Sequence, residues 1–303
     1  MKALVTGGAG FIGSNLAEAL VRKGFAVTVI DDLSSGKKEN LDGIDVRFVK
    51  GSILDLELLK KEFSGVDFVF HIAAMPSVPV SLNKPSETND VNITGTLNVL
   101  IAAKEAGVKR VVYSGSSSRY GDSDEKFKHE TLTPKPLSPY ALQKFTGEEY
   151  CRLFYELFGL ETVSLIFFNV FGPKQNPESE YAAVIPKFIS QMLEGEQPVI
   201  YGDGTTSRDF TYVDNNVNAC IKAATADVAG KVINVACGKS YTLLELVGKI
   251  NKILGTSIKP EFEPFRKGDI RHSLADISEA RKMGYDVDVD FEKGLRKTVE
   301  WLK

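Results

Sequence analysis

The amino-acid sequence predicts an α/β protein in which a doubly wound parallel sheet is followed by a smaller α/β domain. Three observations carry this. Short apolar runs alternate with helix-like segments through the first half; a glycine-rich turn joins the first run to the first helix; and beyond residue 170 the chain turns to loops rich in Pro, Gly and polar residues. Strands that alternate with helices argue a parallel sheet covered on both faces. With 303 residues, 43% hydrophobic and 25% charged, there is room for one large domain and a smaller one. The net charge of -3 gives no reason to expect nucleic acid or an acidic membrane as partner. Cys151, Cys220 and Cys237 are odd in number and lack CxxC spacing, so neither a disulfide framework nor a metal site is expected, and a reduced cytoplasm fits best. The chain starts on a strand pattern without a charged leader and has no apolar run near ~18 residues, so no export or membrane span is expected.

Residues 2–6 (KALVT) form the first strand pattern, and Gly7-Gly-Ala-Gly10-Phe11-Ile12-Gly13 leads into a helix pattern over 14–23. This is the opening of a Rossmann-type dinucleotide-binding unit. Its glycines permit a tight turn and close backbone approach, and the helix N-terminus offers free N–H groups to a pyrophosphate. Residues 25–30 (FAVTVI) form the second strand, with Asp31 at its end, where an acid takes the adenosine ribose hydroxyls of NAD and repels the extra phosphate of NADP. No arginine follows Asp31 directly, so NAD is the expected cofactor.

Further strands are expected at 46–49, 67–72, 110–114 and 162–168, with helices at about 53–62, 88–106 and 138–158. Ligands in such sheets gather at the carboxyl ends of the strands, which singles out Ser52-Ile53, Ala73 and the hydroxyl-rich stretch Ser114 to Ser118. Residues 209–213 and 231–235 look like strands returning to support both parts. We place the dinucleotide-binding domain at 1–169 with returning segments at about 209–236, and the second domain at 170–208 and 237–303.

Tyr140 and Lys144 stand four residues apart at the start of the helix pattern over 138–158, on one face and within reach of a shared ligand. Bringing a phenol from ~10 to neutrality needs roughly 4 kcal/mol. A lysine about 4 Å away, at an effective dielectric near 20, supplies about that much. The pair can serve as a general base.

The combination of TGGAGFIG, Asp31, the stretch from Ser114 to Asp122, PLSPYALQK, FFNVFGPKQ, YAAVIPKFI, GDGTTSRDF and FRKGDIRHSLADIS closely resembles the extended short-chain dehydrogenase/reductase family, and within it the UDP-sugar 4-epimerases. Nearly the whole chain follows the resemblance. It implies about seven parallel strands holding NAD, a small domain holding a UDP-sugar, and chemistry between them. By the same likeness Tyr140 takes the proton of the sugar 4-hydroxyl, Lys144 binds the nicotinamide ribose and lowers the Tyr140 pKa, and Ser116 hydrogen-bonds O4 and relays the proton. Gly7, Gly10, Phe11, Ile12, Gly13, Asp31, Ser52, Ile53, Ala73 and Ser114 would contact NAD. Ser117, Asn169, Gln175, Ala183, Val184, Tyr201, Arg208, Arg266, Asp269 and Ser273 would contact the UDP-sugar.

Related dehydratases carry an Asp-Glu pair where this chain has Ser117-Ser118, and related decarboxylases a glutamate nearby. Elimination needs an acid and a base that exchange protons, which serines do not do near pH 7, so the local chemistry favours epimerisation. A non-catalytic NAD-binding sensor would usually lose Tyr140 or Lys144. Ser273 is small where some relatives restricted to non-acetylated sugars are bulky, so UDP-N-acetylglucosamine is an expected substrate beside UDP-glucose, with UDP-glucuronate chemistry the alternative. Many relatives have an aspartate at Ser52, which implies somewhat weaker NAD binding here. The resemblance also implies a homodimer formed through a four-helix bundle of the helices at 88–106 and 138–158.

Overall fold

The computed structural model describes residues 1–177, 183–265 and 270–303. Its first half runs β1 (Lys2–Thr6), α1 (Phe11–Arg22), β2 (Ala26–Asp31), β3 (Val46–Lys50), α2 (Leu56–Glu62), β4 (Phe68–His71), α3 (Val78–Asn83), α4 (Pro85–Asn89), α5 (Gly95–Glu105), β5 (Arg110–Ser116), α6 (Pro139–Phe158) and β6 (Glu161–Phe167). The remainder runs β7 (Val170–Phe171), α7 (Val184–Leu193), β8 (Val199–Tyr201), β9 (Ser207–Arg208), β10 (Thr211–Tyr212), α8 (Val213–Ala223), β11 (Val232–Val235), β12 (Tyr241–Thr242), α9 (Leu243–Leu254), β13 (Glu261–Glu263), α10 (Ser278–Lys282) and α11 (Phe291–Leu302).

Seven strands form the central sheet in the order β11-β6-β5-β4-β1-β2-β3, every neighbouring pair parallel. This is the doubly wound Rossmann-type sheet that the sequence predicts. Successive side chains of a strand point to opposite faces. Ala3 and Val5 accordingly pack with Leu16, Ala17 and Leu20 of α1, and Leu4 packs on the other side with Val99 and Leu100 of α5 and Phe154 of α6. Each of the larger of these side chains, the valines, leucines and phenylalanine, contributes about 1.5–3 kcal/mol on burial. The chain order reverses between β1 and β4, so the loops after those strands diverge and leave a crevice between them.

Several elements differ from expectation for local reasons. The helix expected from residue 53 begins at Leu56, because the Asp55 side chain accepts the Leu58 N–H at 2.9 Å and caps it there. The single helix expected over 88–106 is α4, a one-turn π segment at Asp90–Thr94, and α5. Of the strand expected over 209–213, only Thr211–Tyr212 pairs, and with β7 outside the central sheet. Asp209 there spends its carboxylate on the N–H groups of Cys237 and Gly238, both at 3.0 Å, and Val213 already starts α8. The strand expected over 231–235 is β11, the sheet's edge.

The short pairs β8–β13 and β9–β12 and the helices α7, α9 and α11 lie beside the carboxyl ends of the sheet strands, around an aromatic cluster in which Phe171, Phe210, Tyr212 and Phe291 meet. Among the described residues, no helix is long and apolar enough to cross a membrane, and no cluster of His, Cys, Asp and Glu could hold a metal ion.

Candidate active site

A cleft of ≈ 1710 Å³ opens where the loops after β1, β2, β4 and β5 face α7, β8 and β9. A site for one drug-sized ligand holds roughly 300–1,000 Å³, so this one has space for two nucleotides. Its walls carry Lys37, Lys128, Lys144, Lys174, Lys187 and Arg208 against Asp31 and Asp32. The excess of cations, in a chain of net charge -3, suits ligands bearing several phosphates.

At one end the glycine turn is closed on itself. Gly7 has φ +69°, and a Cβ there would lie 2.7 Å from the Ala73 backbone; a Cβ at Gly13 would lie 2.1 Å from the Gly7 carbonyl. The backbone can therefore pack this tightly only without side chains. Helix α1 starts directly after the turn with no side-chain cap and no acid in its first turn, so its N-terminal N–H groups stay available to an anion. Asp31, at the end of β2, is 7% exposed and accepts N–H bonds from Ala9 at 2.9 Å and Leu33 at 2.8 Å. Burial raises its pKa, while N–H bonds from Leu33, Ala9 and Gly10 hold it down; of about four acceptor positions on a carboxylate, one remains for a ribose hydroxyl. These features fit a dinucleotide.

At the chemical centre, Ser138 caps α6 by accepting the Ala141 N–H at 3.1 Å, with Pro139 in the first turn. Tyr140 follows, its own N–H fixed by Ser81 Oγ at 3.1 Å and its phenol hydrogen-bonded to Ser116. Ser116 ends β5, with its Oγ 2.8 Å from Ser118 Oγ. Lys144 is 4% exposed; its ammonium lies 3.5 Å from Ser114 Oγ and 4.7 Å from the centre of the Tyr113 ring.

Burial pushes the Tyr140 phenol above its ordinary value, partly offset by the Ser116 bond, and burial drops Lys144 to about 7. Desolvation disfavours the charged forms of both groups, and the Lys144 nitrogen faces Ser114 and Tyr113.

Behind the centre runs a buried polar network that sequence reasoning missed. Asn92, in the π turn, donates to Gln143 at 2.9 Å and accepts the Met75 N–H at 2.8 Å, and Gln143 donates to Thr88 at 3.0 Å. Thr96 gives its one proton to the Asn92 carbonyl at 2.7 Å, so it must accept from His71 Nε2 at 3.0 Å, leaving Nδ1 to accept from Thr6. Burial lowers His71 to about 3, which keeps it neutral. Single π turns often mark functional sites, but nothing in a local hydrophobic pattern announces one.

The cleft brings together Gly7, Gly10, Phe11, Ile12, Gly13, Asp31, Ile53, Ala73, Ser114, Ser116, Ser117, Tyr140, Lys144, Asn169, Gln175, Ala183, Val184, Tyr201, Arg208 and Ser273. Ser52 is the exception: it is not on the cleft wall, and its hydroxyl accepts the Leu54 N–H at 3.2 Å, a local turn bond that competes with a ligand. Arg266 and Asp269 lie outside the described residues. Gln175 donates to the Val170 carbonyl at 3.3 Å while its Oε1 is buried without a partner among the described residues, which leaves an acceptor for a ligand. Lys128, Lys174, Phe210 and His272 also line the cleft and were not singled out. Lys174, Phe210 and His272 carried a signal, because they fall inside FFNVFGPKQ, GDGTTSRDF and FRKGDIRHSLADIS; Lys128 did not.

The chain is 38% identical over 311 residues to a UDP-glucose 4-epimerase of Mycolicibacterium smegmatis, covering 100% of this chain and 99% of that protein. Among solved structures it is similar to a UDP-N-acetylglucosamine 4-epimerase from Methanobrevibacter ruminantium in complex with UDP-N-acetylmuramic acid, with TM-score 0.96, 46% identity and coverage of 99% and 97%. A Thermus thermophilus UDP-glucose 4-epimerase in complex with NAD matches with TM-score 0.92, 34% identity and coverage of 100% and 99%. Residues 3–236 match the model of the NAD dependent epimerase/dehydratase family. Full-length relatives and a glycine cradle built for a dinucleotide agree: the chain belongs to the NAD dependent epimerase/dehydratase family, and NAD is its cofactor.

Proposed function

We propose that this enzyme is a UDP-sugar 4-epimerase that interconverts UDP-glucose with UDP-galactose and UDP-N-acetylglucosamine with UDP-N-acetylgalactosamine. The observation that carries the reading is the cluster at the end of β5. Tyr140 is bonded to Ser116, and Ser117 and Ser118 stand beside it where eliminating or decarboxylating chemistry would need carboxyl groups.

In this reading Gly7, Gly10, Phe11, Ile12 and Gly13, with the α1 N-terminus, hold the pyrophosphate of NAD. Asp31 takes the adenosine ribose, and Ile53, Ala73 and Ser114 border the rest of the dinucleotide. Bound NAD+ supplies the acceptor and later donor of a hydride at the sugar C4. Tyr140 removes the proton of the 4-hydroxyl, with Ser116 hydrogen-bonded to O4, and returns it after the 4-keto sugar has turned over in the cleft. Lys144 holds the nicotinamide ribose. Asn169, Gln175, Arg208, Tyr201, Ala183 and Val184 hold the UDP-sugar, and the fork of Arg208 suits a diphosphate. Residues 1–169 with about 209–236 would then form the NAD domain, and 170–208 with 237–303 the UDP-sugar domain. Buried Ser273, 7% exposed, leaves room for a 2-acetamido group.

The test is product analysis of the purified protein with UDP-glucose, UDP-N-acetylglucosamine and UDP-glucuronate, with and without added NAD. The expected products are UDP-galactose and UDP-N-acetylgalactosamine, and Tyr140→Phe should abolish both while still binding UDP and NAD. A pentose or a 4-keto-6-deoxy sugar among the products would overturn the reading.

A further inference from the structure

The turn that follows β5 holds more than the one serine used so far. Ser116 Oγ receives the Ser118 N–H at 3.3 Å and lies 2.8 Å from Ser118 Oγ. A serine hydroxyl has one proton to give and two lone pairs to accept with. When Tyr140 is ionised it can only accept, so the hydroxyl chain has a single possible direction, Ser118 to Ser116 to Tyr140. We propose that Ser118 is a positioning residue for the general base: its N–H and O–H together fill both lone pairs of Ser116, whose one proton is thereby directed to the Tyr140 oxygen while no sugar is bound and to O4 once the sugar lies between them. The proposal rests on the reading of Tyr140 as the base.

The fold keeps Ser118 where this needs it. The next residue, Arg119, pairs with Glu148 of α6, and both side chains are almost fully buried. The Arg119 carbonyl accepts the Lys135 N–H at 2.8 Å. The turn is thus fixed to the same helix that carries Tyr140, and chained hydroxyls in a site of low dielectric polarise one another. Removing the Ser118 hydroxyl frees one lone pair of Ser116, which can then accept from the Tyr140 phenol and so favours its protonated form.

Other groups around Tyr140 stay in place when Ser118 changes. They are Lys144 on its own helix, Tyr113 on β5, His71 on β4 behind Lys144, the Arg119–Glu148 pair, and Lys128 on the cleft wall. Helix α3, which packs on α6, has no charged residue. Glu148 is raised to about 7 by burial and titrates in the working range, so a rate profile alone does not decide.

The experiment therefore reads the phenol itself. Tyrosinate absorbance is titrated in NAD-saturated wild type, Ser118→Ala and Ser118→Thr, each subtracted from its own Tyr140→Phe partner. Ser118→Ala should move the Tyr140 midpoint up by about one unit, with roughly tenfold lower kcat/KM below the limb and unchanged KM. Ser118→Thr, which keeps both donors, should return to the wild-type midpoint. A Ser118→Ala midpoint equal to wild type overturns the proposal, and so does a Ser118→Thr midpoint that stays with alanine. Failure of the epimerase reading shows separately, as a wild type that does not turn over UDP-sugars while the absorbance titration still reads Ser118.

Discussion

At the scale of single residues, the reading of Ser273 as the selector of sugar size rests on its buried place in the cleft wall. Its N–H is held by the Ser207 carbonyl at 3.1 Å, so the backbone cannot retreat to accommodate a larger side chain. Ser273→Tyr would push a phenol into the space assigned to the 2-acetamido group. Overpacking costs about 1–3 kcal/mol, which corresponds to roughly a five- to 150-fold loss. The expected outcome is that loss in kcat/KM for UDP-N-acetylglucosamine with UDP-glucose nearly unaffected; equal losses on both substrates would count against Ser273 as the selector. The positions of Tyr140 and Ser116 were readable because spacing on a helix and location after a strand are local properties. The direction of the Lys144 ammonium was not, since burial and the neighbours Ser114 and Tyr113 come from β5, some 30 residues away in sequence. Ser52 misled for a similar reason: a hydroxyl at a strand end can close on its own turn, and its residue type does not say which it will do.

At the scale of elements, α6 does the most. It presents Tyr140 and Lys144 to the cleft, and two turns beyond Tyr140 it offers Glu148 to Arg119 in the serine turn. The pair is satisfied imperfectly, because Arg119 Nε is buried without a partner among the described residues, and the guanidinium also rests against the rings of Tyr120 and Phe145. Breaking a buried pair by removing one member typically costs about 3–5 kcal/mol. Arg119→Leu leaves Glu148 buried and alone, so its folded pKa, already raised to about 7, rises further above the unfolded value. A carboxyl raised on folding stabilises fully below its unfolded pKa and loses that contribution as pH climbs through the folded one. The melting temperature of Arg119→Leu should therefore fall below wild type by more at pH 8 than at pH 5. A pH-independent gap would show that lost packing, not the stranded carboxylate, accounts for the change. Alternation and helical periodicity made the sheet strands and α6 readable, whereas the π turn and the two-residue β10 were not: both are set by side-chain bonds from Asn92 and Asp209 to distant backbone.

At the scale of the whole molecule, a parallel sheet covered on both faces follows from the alternation of elements, but what covers the outer face of α6 does not. Leu142 is 52% exposed and Leu157 66% exposed, and with half-buried Leu153 they recur along one side of that helix, beside the exposed Phe158. A stripe of large apolar side chains left in water on a long helix marks an interaction surface. We propose that a second copy of this chain covers it, with α5 and α6 of both copies meeting in a four-helix bundle; a stable interface of this kind buries on the order of 1,600 Å² in total. Light scattering on the purified protein should then give about twice the 33.2 kDa chain mass. The double variant Leu153→Asp and Leu157→Asp should run at the mass of one chain, because two carboxylates per copy would have to be desolvated at the centre of the bundle. Since both positions lie on the side of α6 away from Tyr140 and Lys144, the separated chain should keep its NAD cradle and bind UDP. A wild type of single-chain mass at micromolar concentration, or a double variant that still pairs, would remove α6 from the interface.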